Sequence, residues 1–144
     1  MRGLRGRSER GSTLLLFPAA VLVVMLLSAI AVDMTQLHTA QVDLDDAVHM
    51  AADDGAAMID IDLLRSSGQV AIDLDAARRT IVVDLGDAPL TGAPGTVAVS
   101  AGPRVGTLRV TATRRVRRLF GSVLPGIDRT VTVSATVVAE IRVH

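Results

Sequence analysis

The chain has 144 residues, no cysteine and a formal net charge of zero, and 49% of it is hydrophobic. The absence of cysteine excludes a disulfide framework, a thiol nucleophile and a Cys-ligated metal. Phe17 and Phe120 are the only aromatic residues, so any core is built from Val, Ile, Leu and Ala and is expected to be marginal on its own.

Residues 1–12 carry Arg2, Arg5, Arg7 and Arg10 against Glu9. An uncharged run of 20 residues follows, from Thr13 through Val32, TLLLFPAAVLVVMLLSAIAV. As a helix it covers roughly 30 Å, the hydrocarbon core of one bilayer. Basic residues stay on the cytoplasmic side of a membrane. The expected organisation is therefore a basic cytoplasmic segment (1–12), a transmembrane helix in contact with membrane lipid (13–32) and an extracytoplasmic domain (33–144). Pro18 lies one turn inside the run, where a missing amide costs least. The alternative is a cleaved secretory signal. Ala29-Ile30-Ala31 fits the small-x-small pattern of a signal peptidase, which would release a non-catalytic binding domain starting near Val32. The run is longer than the roughly 7–15 residues of a signal core, which favours a retained anchor.

Helical spacing continues from Asp33 to about Asp62. Met34, Leu37, Leu44, Val48, Ala51 and Met58 form a narrow apolar stripe, with Gln and Asp largely off it. Gly55 weakens this helix without having to break it. The stripe packs either onto the chain's own domain or onto neighbouring subunits. Fewer than four clean heptads make the first the simpler reading and leave Met34, Leu37, Leu44, Val48 and Ala51 as candidate partner contacts. Ser66-Ser67-Gly68 is a loop signal. A second helix is expected from Asp73 or Asp75 toward Asp84, although Ile81-Val82-Val83 reads equally as a strand. A turn-rich break, GDAPLTGAPG, occupies residues 86–95.

Beyond it the period changes to two. Residues 96–100 and 107–113 alternate, with Pro103 and Gly106 in a hairpin connection between them. Residues 114–124 hold Val116, Leu119, Phe120, Val123 and Leu124 at helical spacing, ended by Pro125-Gly126. Residues 130–143 alternate strictly and are the clearest strand. The fold class expected is α+β: a transmembrane helix extending into an amphipathic helix, then a small antiparallel sheet with short helices and one covered face.

Charge is unevenly spread. Residues 33–87 hold twelve Asp against three Arg, and residues 88–144 hold eight Arg against Asp128 and Glu140. These complementary blocks meet within one domain or between two copies, the intramolecular arrangement being the simpler. His38 and His49 lie about 16 Å apart on a helix, too far for one metal ion. The pairs Asp60 with Asp62 and Asp73 with Asp75, and the run Asp43, Asp45 and Asp46, lack the glycine turn and terminal Glu of a calcium loop, and read as helix caps or a solvated face. No nucleophile elbow, zinc-protease helix or phosphate-cradling loop occurs. No catalytic residue, metal or cofactor is expected. Arg114, Arg115, Arg117 and Arg118 form the sharpest polar feature; anionic lipid or the acidic helix of the same or another copy could meet it, and an acidic partner is the one expected. Nucleic acid is not expected, because only Phe120 is near for stacking.

Four pieces occur in a telling order: Glu9-Arg10-Gly11-Ser12, the apolar span, Asp33-Met34-Thr35-Gln36-Leu37, and an Ala- and Asp-rich stretch over residues 42–57. The chain resembles the TadE/TadG-like family of tight-adherence (Flp) pilus-assembly proteins. The segment Leu119-Phe120-Gly121-Ser122-Val123-Leu124-Pro125-Gly126-Ile127 before an alternating Val/Ala strand is similar in style. The resemblance implies an anchored, outward-facing pseudopilin that works with other pilin-like or Tad secretion components, with self-association among its expected contacts. It also makes Gly11 and Ser12 the candidate site of prepilin-peptidase processing. Leu16 stands where type IV-like pilins carry a glutamate.

Overall fold

The computed structural model describes residues 9–120 and 128–141, with side-chain surroundings from residue 16 onward. One helix, α1 (Glu9–Ala56), runs unbroken from the apolar run into the domain beyond it, with Pro18 inside. Its 48 residues measure about 72 Å. Nothing stops it at Val32, because the residues from Asp33 to Leu37 include neither Gly nor Pro. The Ser28 and Thr35 hydroxyls donate to the Val24 and Ala31 carbonyls four residues back, at 2.8 and 2.9 Å. Their polar atoms are thereby satisfied without water.

α1 ends at Ala56, short of the expected Asp62. A long-range pairing overrides the local spacing there. Asp60 N donates to Ala71 O at 2.9 Å, Asp73 N donates to Met58 O at 2.8 Å, and Ile59 bridges Ile72. The pinched excursion between them holds a separate short helix, α2 (Ile61–Ser67), that buries none of its residues. Asp60 caps α2 by accepting from Leu63 N at 2.9 Å. Asp73 caps α3 (Leu74–Asp87) by accepting from Asp75 N and Ala76 N at 3.0 and 2.9 Å. The paired aspartates read from the sequence are thus a cap and a first-turn acid at each helix start, where the helix dipole favours negative charge. Ile81, Val82 and Val83 are helical: α3 buries Ala77, Ile81 and Leu85 on one stripe.

Three strands follow, β1 (Ala93–Ala101), β2 (Thr107–Arg117) and β3 (Thr130–Glu140), antiparallel and in that spatial order. The connection around Pro103 and Gly106 closes on Thr107. Its hydroxyl is buried, donates to Arg104 O at 2.7 Å and accepts from Arg104 N at 3.1 Å. The helix expected over residues 114–124 is not formed in its described part, 114–120. Arg114, Arg115, Val116 and Arg117 extend β2 and pair with Val133, Thr132, Val131 and Thr130, and residues 118–120 are irregular. The ladder with β3 decides the conformation over a helical spacing only two turns long. Val123, Leu124, Pro125 and Gly126, and the end of the last strand at Val143, lie outside the described residues.

The second part of α1 lies along the inner face of the sheet, with α3 beside it. Gln41 reaches Ser134 O at 2.9 Å near one end, and Gly55 lies against Leu108 near the other, so α1 and β3 run in the same direction. Among the described residues, nine of the nineteen in the core are Ala, which lets helix and sheet approach closely. Both sheet edges are guarded. The bonds Arg118 N to Arg129 O and Ile141 N to Gly106 O set an alternation that turns the Ser134 carbonyl outward from β2, where Gln41 occupies it. Arg78 of α3 likewise donates to Val99 O of β1 at 3.2 Å. An edge carbonyl already paired is a poorer template for an added strand. A long N-terminal helix packed on an antiparallel sheet is a pilin-like layout.

Gly55 marks the tightest approach. A Cβ there would stand 2.6 Å from Ile81 Cδ1 and 2.9 Å from Ile81 Cγ1, and Ile81 is fully buried. Gly55→Ala gains about 1 kcal/mol of helix propensity but overpacks the core at about 1–3 kcal/mol. The expected net is a loss of about 1 kcal/mol. Gly86→Ala in the last turn of α3, where a Cβ meets nothing within 4 Å, is expected to gain about 0.5 kcal/mol. Thermal unfolding of the two variants in detergent, followed by circular dichroism, checks the opposite signs.

Candidate functional site

α1 divides by exposure. Its first part is apolar and bare: the best window for a membrane span has a mean hydropathy of 2.4 and is 0% buried. Leu16, Phe17, Val21, Leu22, Val24, Met25 and Leu27 all stand exposed. Among the described residues there is therefore one helix, at the N-terminal end, long and apolar enough to cross a membrane. Gly11 and Ser12 fall within α1, upstream of the residues whose side-chain surroundings are described.

The stripe beyond the span is divided in its fate. Leu44, Val48 and Ala51 are buried under the sheet, and Leu37 is packed at the margin of the same core. Met34 alone of the five is exposed, at 60%. The own-domain reading of the stripe accounts for the buried three.

The arginine patch is not one surface. Strand alternation sends its members to opposite faces of the sheet. Arg114 lies on the inner face, where its guanidinium donates to Leu85 O at 2.9 Å, Leu90 O at 3.2 Å and Gly92 O at 3.4 Å. It thereby ties the end of α3 and the following loop to the sheet, and serves structure rather than a partner. Arg115 and Arg117 are exposed on the outer face. Arg109, not singled out from the sequence, shares that face by register. Around them stand hydroxyls, with Thr111 paired to Thr136 at 3.0 Å and Thr96 to Thr113 at 2.9 Å. No described helix covers this side. Arg118 is half-buried beyond the end of β2.

The two blocks pack against each other as helical layer and sheet, with many of their exposed charges turned to opposite sides. The exposed ion pairs His49–Asp45 (3.8 Å) and Arg104–Glu140 (3.9 Å) each stay within one block. Asp46 and Asp54 of α1, with Asp75 and Asp87 of α3, are exposed on the helical layer. Arg109, Arg115 and Arg117 are on the far side of the sheet. The head is thus two-faced, acidic over the helices and basic over the bare strands.

One contact joins the head to the span. Asp33, the first charged residue after the apolar run, accepts from Leu119 N at 2.9 Å and Phe120 N at 3.1 Å through Oδ1. Sequence reasoning used Asp33 to mark the end of the anchor and the start of the segment after it, not as a contact. A carboxylate gripping amides 86 and 87 residues away leaves no local signal. Among the described residues no three His, Asp or Glu side chains converge as a metal site. No family model, curated protein or solved structure matches the chain.

Proposed function

We propose that the chain is a membrane-anchored, TadE/TadG-like pseudopilin subunit that takes part in assembling a Tad/Flp-type pilus or a related secretion machine. Its work is assembly rather than catalysis. The observation that carries this reading is α1: one helix supplies both a bare apolar span and the spine of the head. The basic residues before the span support a cytoplasmic N-terminus and an outward-facing head. The two-faced head supports a specific mode of self-association. An acidic face and a basic face on opposite sides form a heterologous contact, which repeats from copy to copy instead of closing a two-fold dimer.

The chain has no cysteine, so introduced ones report cleanly. Two differently tagged copies, one Asp54→Cys and one Arg115→Cys, are expected to cross-link in the membrane and in sheared surface fibres. Cross-linking should weaken as salt rises, because the attraction is between exposed charges. A released, monomeric product whose mature N-terminus is Val32 by mass spectrometry would establish the rival, a secreted binding domain. That rival is sterically sound, since the first side chain packed on the core is Leu37.

A further inference from the structure

Resting on the reading that α1 crosses a bilayer, we propose that the turn leaving β2 is a second membrane contact. Leu119 and Phe120 seat in the lipid leaflet beside the anchor, on the head's side of the membrane. Three observations meet at this point. The first is position. Asp33 clamps the turn at the height where the apolar run ends. Below the clamp, Phe120 joins Leu22, Met25, Leu26, Ala29 and Ile30 in lining an open apolar groove of about 420 Å³. Those residues belong to the span, and Leu22 lies about 16 Å below Asp33 along the helix. A side chain lining a groove on the span shares the solvent of the span, which is lipid.

The second is chemistry. Leu119 is 57% and Phe120 42% exposed. In water they would add apolar area to an already bare helix; in acyl chains they are in a matching medium. Phe120 is also one of only two aromatic residues, and the other, Phe17, is in the anchor itself. The third is backbone satisfaction. Non-helical backbone is tolerated at a membrane boundary only where its polar groups are paired. The Leu119 and Phe120 amides are both taken by the Asp33 carboxylate, and the ladder just above closes with Arg118 N to Arg129 O at 2.9 Å. The occupant is lipid rather than a second copy's helix, because the groove is continuous with the surface that faces acyl chains along the whole span. Two attachment points would fix the tilt of the head on the membrane.

The chain has no tryptophan, so single introduced ones act as depth gauges. The full chain is reconstituted in vesicles containing lipids brominated at shallow or deep acyl positions. Phe120→Trp is expected to emit to the blue and to be quenched, more by shallow than by deep bromines. Val23→Trp, mid-span, should be quenched most by deep bromines. Val105→Trp, at a position 97% exposed in the hairpin at the far end of the sheet, should not be quenched. Adding Asp33→Ala to Phe120→Trp should reduce the quenching, while Val23→Trp is unmoved by the same change. If Phe120→Trp is as unquenched as Val105→Trp while Val23→Trp is quenched, the anchor stands and this proposal is overturned. It is overturned equally if the quenching of Phe120→Trp vanishes as protein is crowded into the vesicles, which would mean that a second copy covers the site. No quenching of Val23→Trp overturns the anchor reading itself.

Discussion

Leu44→Ala is expected to lower the stability of the head by about 3 kcal/mol, within the range of about 2–5 kcal/mol for a buried Leu. Leu44 is 1% exposed and lies between α3 and the sheet, close to Leu85, Leu90 and Ala112. Its neighbourhood keeps the loss above the bottom of that range. Among the described residues, only Leu44, Ile81, Leu85 and Leu108 in the buried core are larger than Val, and nine core positions are Ala. Short side chains cannot swing into a vacated space, so the cavity stays open. A domain of this size holds about 5–15 kcal/mol in total, and a core without rings sits toward the low end. Urea unfolding of the full chain in detergent, followed by the sheet signal in circular dichroism, measures the loss. Leu44→Met, which conserves volume, should cost less than about 1.5 kcal/mol. Equal losses for the two variants would show that the site is not packed as described.

The double change Val23→Arg with Val24→Arg is expected to abolish membrane retention and leave the head folded. Each arginine at the centre of a span costs about 2.5–3.5 kcal/mol on insertion, so together they oppose it by about 6 kcal/mol. At about 1.4 kcal/mol per tenfold, that shifts the partition by roughly four orders of magnitude. Both valines are exposed and outside the head's core, so the head's unfolding midpoint should not move. Alkaline carbonate extraction gives the answer: the parent chain stays in the pellet and the variant moves to the soluble fraction. A parent chain released by carbonate, or a variant retained in the pellet, would refute the anchor.

The sequence was most readable where one periodicity ran long enough. The apolar run, the cap at Asp73 and the strict alternation after Thr130 all yielded the right element, because each is a local pattern with a local cause. Reading failed where distant partners decide. α1 stops at Ala56 because residues 58–60 pair with residues 71–73, and nothing within the helical spacing itself announces that. Val116, Leu119 and Phe120 fit a helix by spacing, yet the rungs to Val131 and Thr130 hold the chain extended through Arg117. The alternation of Arg114, Val116, Arg115 and Arg117 between faces was present in the sequence, but a run of like charges drew it into a single patch. The candidate surface was accordingly half legible. Arg115 and Arg117 stand outward, Arg114 is committed to three carbonyls inside, and the grip of Asp33 on the turn was invisible.

The absence of a joint in α1 has a mechanical meaning. A pull on the span enters the head along the helix axis, and β3 lies alongside that axis in the same sense. The load is then borne in shear by the whole seam from Ala40 to Ala56 at once, instead of peeling the contacts one after another. Under such a load the span and the head would move together as one rigid body.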